Sequence, residues 1–163
     1  MDANLMQRAA VLGAGTMGHG IAHVLAMVGF DTRLYDVAES AVEKGLGAVR
    51  ANLEKGVEKG KVNAADRDAA LSRLSGTAKF EQAIDGVDVV IEAVPEKLEL
   101  KQQIFESLGR RLGAHVLLAT NTSSLSITWK WDGALARLPS SQSLLIRRLL
   151  RDYFSLRLFL TRT

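Results

Sequence analysis

The most constraining feature of the sequence is the glycine motif Gly13-Ala-Gly-Thr-Met-Gly18, which directly follows the apolar residues 9–12. In this spacing the first glycine allows a sharp turn, the second lets the backbone approach a pyrophosphate, and the third lets a helix pack against a strand. An amphipathic helix is predicted over residues 16–28, with Gly29 as its stop, and the amino end of a helix attracts anions. The motif therefore predicts a dinucleotide site built from Gly13, Gly15, Thr16, Met17 and Gly18.

An acidic residue follows the second predicted strand. Residues 32–35 are typical of a short strand, and Asp36 lies at its end, close to the spacing expected for a ribose-binding acid. A carboxylate accepts hydrogen bonds from both ribose hydroxyls but repels the 2'-phosphate of NADP. Arg33 could attract that phosphate, but strand alternation puts its side chain on a different face from the residue at the tip. The sequence therefore favours NAD as the cofactor.

The first 128 residues alternate between strand and helix patterns. Strands are predicted at residues 9–12, 32–35, 77–80, 87–94 and 115–120, and helices at 16–28, 40–59, 97–112 and, capped by Asn63, up to residue 74. This order predicts an α/β fold with a Rossmann-type doubly wound parallel sheet. Ligands of such sheets bind beyond the carboxyl ends of the strands. The glycine loop, Asp36, Pro95-Glu96 and residues 121–124 should therefore converge on one crevice.

Three ordered motifs give the chain a family resemblance. They are Gly13-Ala-Gly-Thr-Met-Gly-His-Gly-Ile-Ala22, Ile91-Glu-Ala-Val-Pro-Glu-Lys-Leu98 and Asn121-Thr-Ser-Ser-Leu-Ser-Ile-Thr128. Over residues 7–128 the chain resembles the NAD-binding domain of the 3-hydroxyacyl-CoA dehydrogenases, particularly the bacterial 3-hydroxybutyryl-CoA type. The resemblance implies oxidation of a (3S)-3-hydroxyacyl-CoA to the 3-oxoacyl-CoA, with NAD as cofactor.

The resemblance also implies roles for individual residues. Asp36 would hold the adenosine ribose, Glu96 and Lys101 would lie along the nicotinamide half of the cofactor, and Asn121 would shape the loop beside it. Ser123 would contact both cofactor and substrate and orient the carbon from which hydride leaves.

The substrate side is implied on the long second helix. Lys55 and Lys59 match the region that reaches the phosphates of coenzyme A, and Asn52 stands where the family has a serine that contacts coenzyme A. Glu92, inside an apolar strand, has either a cofactor-side or a structural role.

The sequence departs from the family after Thr128. Residues 1–128 contain 14 Lys and Arg and 16 Asp and Glu, whereas residues 129–163 contain 7 and 2, with nine leucines and six arginines. The family's His-Phe-Phe-Asn-Pro segment, which supplies the general base, does not occur here, and neither does its helical domain for substrate and dimer contacts. We therefore expect residues 129–163 to be an out-of-frame tail, the sheet to be incomplete at its C-terminal end, and turnover to be negligible. A homodimer is expected only of full-length members.

The composition excludes several kinds of site, and two alternative functions remain. There is no cysteine, so disulfides and thiolate metal sites are excluded. His19 and His23 have metal-ligand spacing but no third ligand in sight, so no metal site is expected. The basic charge belongs to the tail. We expect no nucleic-acid partner, no membrane partner or membrane span, and a cytoplasmic location. The alternatives are a standalone NAD-binding module with a basic membrane- or partner-binding tail, and a hydroxy-acid dehydrogenase that does not use coenzyme A.

Overall fold

A computed structural model of the chain describes residues 7–121. Within them, five strands form one sheet in the order β3-β2-β1-β4-β5, and every neighbouring pair is parallel. The strands are β1 (Arg8–Leu12), β2 (Asp31–Tyr35), β3 (Leu74–Thr77), β4 (Val89–Glu92) and β5 (Leu117–Thr120). The helices are α1 (Thr16–Met27), α2 (Glu39–Glu58), α3 (Ala64–Ser72), α4 (Phe80–Ile84) and α5 (Leu98–Arg111). The predicted Rossmann-type parallel sheet is confirmed. The prediction that it is incomplete at its C-terminal end concerns residues outside the described part of the chain.

Alternate residues of β1 face two separate hydrophobic clusters. Ala9 and Val11 pack in the cluster that contains residues of α1, whereas Ala10 and Leu12 pack in the one that contains residues of α4 and α5. All four are fully buried. Because successive side chains of a strand point to opposite faces, helices cover both faces of the sheet. The carboxyl ends of the strands are then the natural place for a ligand.

The strand order puts a topological switch point beside β1. The chain runs outward from β1 to β2 and β3, and then returns to place β4 on the opposite side of β1. The connections after β1 and β4 therefore leave the sheet in different directions, and the crevice between them is where such folds bind ligands.

Single residues in the sequence correctly predicted two helix ends, the C-terminus of α1 and the N-terminus of α3. Gly29 follows the end of α1 with a φ of 104°, a conformation that glycine adopts without strain. Asn63 caps α3, because its Oδ1 accepts a hydrogen bond from the backbone N–H of Asp66 at 2.7 Å.

The prediction for the third strand was wrong. The strand occupies Leu74–Thr77 rather than residues 77–80, and α3 ends at Ser72 before it. Phe80 instead begins the short helix α4, which the sequence did not reveal. The physical reason is pairing: residues 74–77 lie beside residues 32–35 of β2 in parallel register. In the described residues, no helix is both long and apolar enough to span a membrane.

Candidate dinucleotide-binding site

The glycine loop adopts the geometry that its sequence predicts. Gly13 is buried with a φ of 105°, and a Cβ placed on it would lie 2.6 Å from the carbonyl oxygen of Ala93. A Cβ on Gly18 would collide with the carbonyl oxygen of Gly13, so the backbones of the loop and the helix are in contact. A Cβ on Gly15 would have no neighbour within 4 Å. Protein atoms therefore occupy the turn and packing positions, and the space beside Gly15 fits a ligand.

The amino end of α1 is open beside this loop. The helix begins at Thr16, its first turn contains no acidic residue, and no side chain caps it. Thr16 and Met17 are exposed there, Met17 to 39%. The unpaired N–H groups and the positive end of the helix dipole therefore face a position where an anion can bind.

Asp36 is tied to the glycine loop. Its Oδ2 accepts a hydrogen bond from the backbone N–H of Ala14 at 2.9 Å, across 22 residues of sequence. The backbone N–H of Gly13 donates to the carbonyl oxygen of Tyr35, directly before Asp36, at 2.8 Å. These bonds hold the half-buried carboxylate beside the glycine loop.

The side chain of Arg33 is hydrogen-bonded to the end of α4. Its Nη1 donates to the carbonyl oxygens of Gln82 and Asp85 at 2.8 and 2.6 Å, at the end of α4. The guanidinium therefore stabilises the carboxyl end of that helix.

Glu92 is the centre of a buried polar network that the sequence did not reveal. Its side chain is fully buried at the end of β4, and the ammonium of Lys101 lies 2.9 Å from both of its carboxylate oxygens. Thr120 Oγ1 donates to Oε2 at 2.5 Å and the backbone N–H of Val94 donates to Oε1 at 2.7 Å. The carboxylate thereby joins β4, β5, α5 and the loop after β4, which is the structural role left open above.

Lys101 and Glu96 lie together on this network. The Lys101 ammonium is 3.5 Å from Glu96 Oε2, and the two side chains are exposed to 5% and 44%. Glu96 is therefore partly exposed, while Lys101 is buried and paired with carboxylates. The structure thus brings the two predicted residues into contact but leaves Lys101 facing Glu92 and Glu96.

Asn121 ends the described part of the chain at the same edge. Its backbone N–H donates to the carbonyl oxygen of Glu92 at 2.8 Å, which continues the β4–β5 ladder beyond the strand ends. Ser123, the residue expected to orient the substrate, lies outside the described residues, as does the tail predicted at residues 129–163.

The residues expected to contact coenzyme A lie on one exposed stretch. Asn52 and Lys55 are exposed on α2, and Lys59 is its C-terminal cap residue. Lys55 is about 24 Å along the helix axis from Glu39, at which α2 begins, given a rise of ~1.5 Å per residue. The structure therefore places these residues together, but away from the residues at the start of α2.

The histidine pair on α1 forms no metal site among the described residues. Burial, and to a lesser extent the neighbouring His19, lower the pKa of His23 below its ordinary value of 6.5. His115 is exposed at the start of the segment that leads into β5.

Comparisons with known proteins agree with this geometry. The sequence profile of the family described as 3-hydroxyacyl-CoA dehydrogenase, NAD binding domain, matches residues 8–130. The chain is 42% identical over 118 residues to the probable 3-hydroxybutyryl-CoA dehydrogenase of Bacillus subtilis. The aligned segment covers 72% of this chain and 41% of that protein. It is 40% identical over 126 residues to the 3-hydroxybutyryl-CoA dehydrogenase of Bradyrhizobium diazoefficiens, covering 77% of this chain and 43% of that one.

A solved structure extends the likeness to the fold. The crystal structure of the (S)-3-hydroxybutyryl-CoA dehydrogenase of Ralstonia eutropha superposes with a TM-score of 0.71 at 37% identity, over 76% of this chain and 43% of that one. This chain thus spans less than half the length of the relatives it matches.

Proposed function

Because this chain belongs to the 3-hydroxyacyl-CoA dehydrogenase family through its NAD-binding domain, we propose that its crevice is the cofactor half of a site that oxidises a (3S)-3-hydroxyacyl-CoA. The observation that supports this proposal most directly is the hydrogen bond between the glycine loop and Asp36. The Ala14 N–H bond to Asp36 Oδ2 fixes a carboxylate beside the space left open at Gly15. The adenosine ribose and the pyrophosphate of NAD can then each bind to a protein group, and these two protein groups are neighbours.

Each cofactor residue has a proposed task. Asp36 accepts hydrogen bonds from the adenosine ribose, and the open amino end of α1 faces the pyrophosphate. Glu96 lies along the nicotinamide half, with Lys101 behind it and Asn121 beside it. These tasks rest on the family resemblance, on the position of Asp36, Glu96 and Asn121 after the carboxyl ends of strands, and on the contact of Lys101, in α5, with Glu96.

The proposed chemistry is a hydride transfer coupled to a proton transfer. NAD, when bound, supplies the acceptor for the hydride from C3 of the substrate. The hydroxyl proton leaves to a base, and the products are the 3-oxoacyl-CoA, NADH and a proton. A positioned histidine contributes about 10² to 10⁴ in rate at such a step. Because the family's His-Phe-Phe-Asn-Pro segment does not occur in this sequence, we propose NAD binding with negligible turnover.

The substrate is proposed to be a coenzyme A thioester, most simply 3-hydroxybutyryl-CoA, as in the names of the relatives. Ser123 would orient its C3 hydroxyl, while Asn52, Lys55 and Lys59 would reach the phosphates of coenzyme A. Phosphates attract exposed ammonium groups, and the two lysines lie four residues apart on the same side of a helix.

Calorimetric titration with NAD tests the cofactor site. We expect Asp36→Asn to weaken NAD binding about tenfold, because hydrogen bonds to a charged acceptor each contribute about 1.5–3 kcal/mol. Asp31→Asn is the matched control, since Asp31 is exposed at the opposite end of the same strand. Equal NAD affinity in the two variants would contradict the proposed role of Asp36.

Turnover is tested separately. The full chain is incubated with NAD and 3-hydroxybutyryl-CoA, and NADH is followed by its absorbance, with Ser123→Ala as the reference. We expect no difference between the two chains. NADH formation above that of the Ser123→Ala reference would show that the chain carries its own base.

The change in composition after residue 128 supports a second proposal, that residues 129–163 are translated out of frame. Resequencing the gene across this junction and translating all three frames tests it. A family-like His-Phe-Phe-Asn-Pro segment in another frame is expected. The same tail in independent sequence, with no such segment in any frame, would refute the proposal.

We propose a cytoplasmic location, with no nucleic-acid partner, and a homodimer for full-length members of the family. Cell fractionation tests the location, and light scattering on a full-length relative tests the dimer. Binding of DNA or RNA that persists after residues 129–163 are deleted would contradict the exclusion of nucleic acid, since the net positive charge lies in those residues.

A further inference from the structure

The face of the sheet opposite α2 has a cavity beside β3. A Cβ on Gly76 would collide with Val42 of α2, so this residue of β3 faces that helix. Side chains alternate across a strand, and Ser75 therefore faces the other side, next to Arg33, its partner in the register of β2 and β3. The helix on that side, α4, has only five residues. The space beside it is a cavity of about 330 Å³ lined by Arg33, Ser75, Gly76, Thr77, Gln82 and Asp85.

The positive charge in this cavity belongs to Arg33, which is half-buried. Its Nη1 donates to the main-chain carbonyl oxygens of Gln82 and Asp85 at 2.8 and 2.6 Å. Carbonyl oxygens carry no net charge, and within residues 7–121 no carboxylate pairs with this guanidinium. A guanidinium has five N–H donors, so those not used in these two bonds are available to a ligand.

The negative charge in the cavity belongs to Asp85. Its side chain is exposed, and in the described part of the chain it forms neither a hydrogen bond nor an ion pair. The carbonyl oxygen of the same residue accepts the bond from Arg33, so the two charged groups lie in one wall of the cavity without pairing with each other. A ligand with both signs of charge can therefore satisfy both groups.

Neutral donors lie beside the guanidinium. The Thr77 hydroxyl accepts a hydrogen bond from the backbone N–H of Lys79 at 3.1 Å and donates to Gln82 Oε1 at 2.9 Å. The amide nitrogen of Gln82 thus keeps both of its hydrogens for a ligand. The Ser75 hydroxyl is next to Arg33 and has no hydrogen-bond partner among the described residues. Together with the guanidinium, these groups form a donor set that suits a carboxylate.

We propose that this cavity binds a small zwitterion, whose carboxylate is held by Arg33, Ser75 and Gln82 and whose ammonium group faces Asp85. A dianion such as phosphate is repelled by Asp85, and a simple amine is repelled by Arg33. The volume is at the lower end of the roughly 300–1,000 Å³ of small-molecule sites, which fits a ligand of a few carbons. Arg33 is three residues before Asp36, about 10 Å along the strand, so the site is separate from the dinucleotide crevice. The inference does not depend on the proposed function.

Nuclear magnetic resonance of the ¹⁵N-labelled full chain tests the proposal, with β-alanine as the probe. Propionate lacks the ammonium group of β-alanine, and propylamine lacks its carboxylate. The backbone amide signals of Ser75, Gly76 and Gln82 are followed during each titration at constant pH and ionic strength. We expect β-alanine to bind with a Kd about three- to fivefold below those of propionate and propylamine, the size expected for one partly exposed ion pair.

Two substitutions separate the two charges. Arg33→Met should remove the binding of both carboxylates, and Arg50→Met, at an exposed position of α2, is its matched control. Asp85→Asn should raise the Kd of β-alanine to that of propionate, without weakening propionate. Asp31→Asn, which removes an exposed carboxylate at the start of β2, is the control for it. Arg33 also bonds to the end of α4, whereas the Asp85 side chain has no such contact, so Asp85→Asn tests the site without a change in packing.

Each outcome supports or overturns the site. A preference for β-alanine that disappears in Asp85→Asn and persists in Asp31→Asn supports it. Equal Kd values for the three probes, or no change in the three amide signals, overturns it. Binding of β-alanine that is lost when the chain is saturated with NAD would place the probe in the crevice and also overturn the inference. The NAD titrations described above are unaffected by any of these results.

Discussion

The cost of burying the Glu92 carboxylate is offset by hydrogen bonds to both of its oxygens. Lys101, Thr120 and Val94 all donate to it at 2.9 Å or less. Removing one member of a buried ion pair leaves an uncompensated charge that cannot regain water, whereas replacing both members avoids this cost. The two charges in this network therefore depend on each other.

A double-mutant cycle measures that dependence at the residue scale. We expect Lys101→Met to lower the free energy of unfolding by about 3–5 kcal/mol, because Glu92 is left buried without its cationic partner. Adding Glu92→Gln to Lys101→Met should recover part of this loss, as measured by urea unfolding. The exposed pair Glu106 and Arg110 is the control and should show a coupling of about 0.3–0.5 kcal/mol. Strictly additive effects at Glu92 and Lys101 would contradict the interpretation.

His23 gives the domain a dependence on pH. Burial and the neighbouring His19 lower the pKa of His23 in the folded state, so below about pH 6.5 the unfolded chain binds this proton more readily. Stability contributed by the neutral imidazole is therefore full above the unfolded pKa and is lost as the pH falls. We expect the midpoint of urea unfolding to drop between about pH 7 and 5, and less so in His23→Gln.

The control for this effect is His115→Gln, at an exposed position, which should keep the full dependence on pH. A His23→Gln chain that loses as much stability as the unsubstituted chain over the same range would assign the effect to other groups.

At the scale of elements, Gly45 lets α2 approach the sheet closely. A Cβ on Gly45 would lie 2.8 Å from Leu34 Cδ2 and 3.0 Å from the carbonyl oxygen of Ala14, whereas one on Gly47 would have no neighbour within 4 Å. Alanine is the better helix former by about 0.5–1 kcal/mol. We expect Gly47→Ala to raise the thermal midpoint and Gly45→Ala to lower it, with a cost of about 1–3 kcal/mol from overpacking. Equal midpoints in the two variants would refute this contact.

The elements that the sequence predicted well are those with strong local patterns. The glycine motif, the apolar β4 and the periodic helices α1, α2 and α5 were found where expected. The third strand was misplaced because residues 74–77 are only partly buried and include a glycine, so they lack an alternating pattern. The five residues of α4 are too few to show helical periodicity. Pairing with β2, a contact between distant residues, decides that part of the fold.

In the candidate site too, local sequence patterns predicted some features, and tertiary packing across the whole molecule decided the others. The convergence of the glycine loop, Asp36 and Glu96 was predictable, because the carboxyl ends of parallel strands share one edge. The contacts of Glu92 were not, since they require β5 to lie beside β4 and α5 to pack so that Lys101 reaches the strand end. Sequence patterns therefore locate the crevice, and tertiary packing determines which charges face it.

Ligand-linked stability joins the crevice to the fold as a whole. NAD that binds only the folded chain stabilises it by about 2.7 kcal/mol at a concentration of 100 times its Kd, so the thermal midpoint should rise on addition of NAD. Gly15 has a φ of −65° and open space around its Cβ position, so Gly15→Ala should leave the midpoint without NAD unchanged or slightly higher. The added methyl group occupies the space assigned to the pyrophosphate, and most of the rise caused by NAD should disappear. Gly47→Ala, away from this space, should keep the full rise. If Gly15→Ala responds to NAD as strongly as Gly47→Ala, the dinucleotide does not approach the backbone at this glycine.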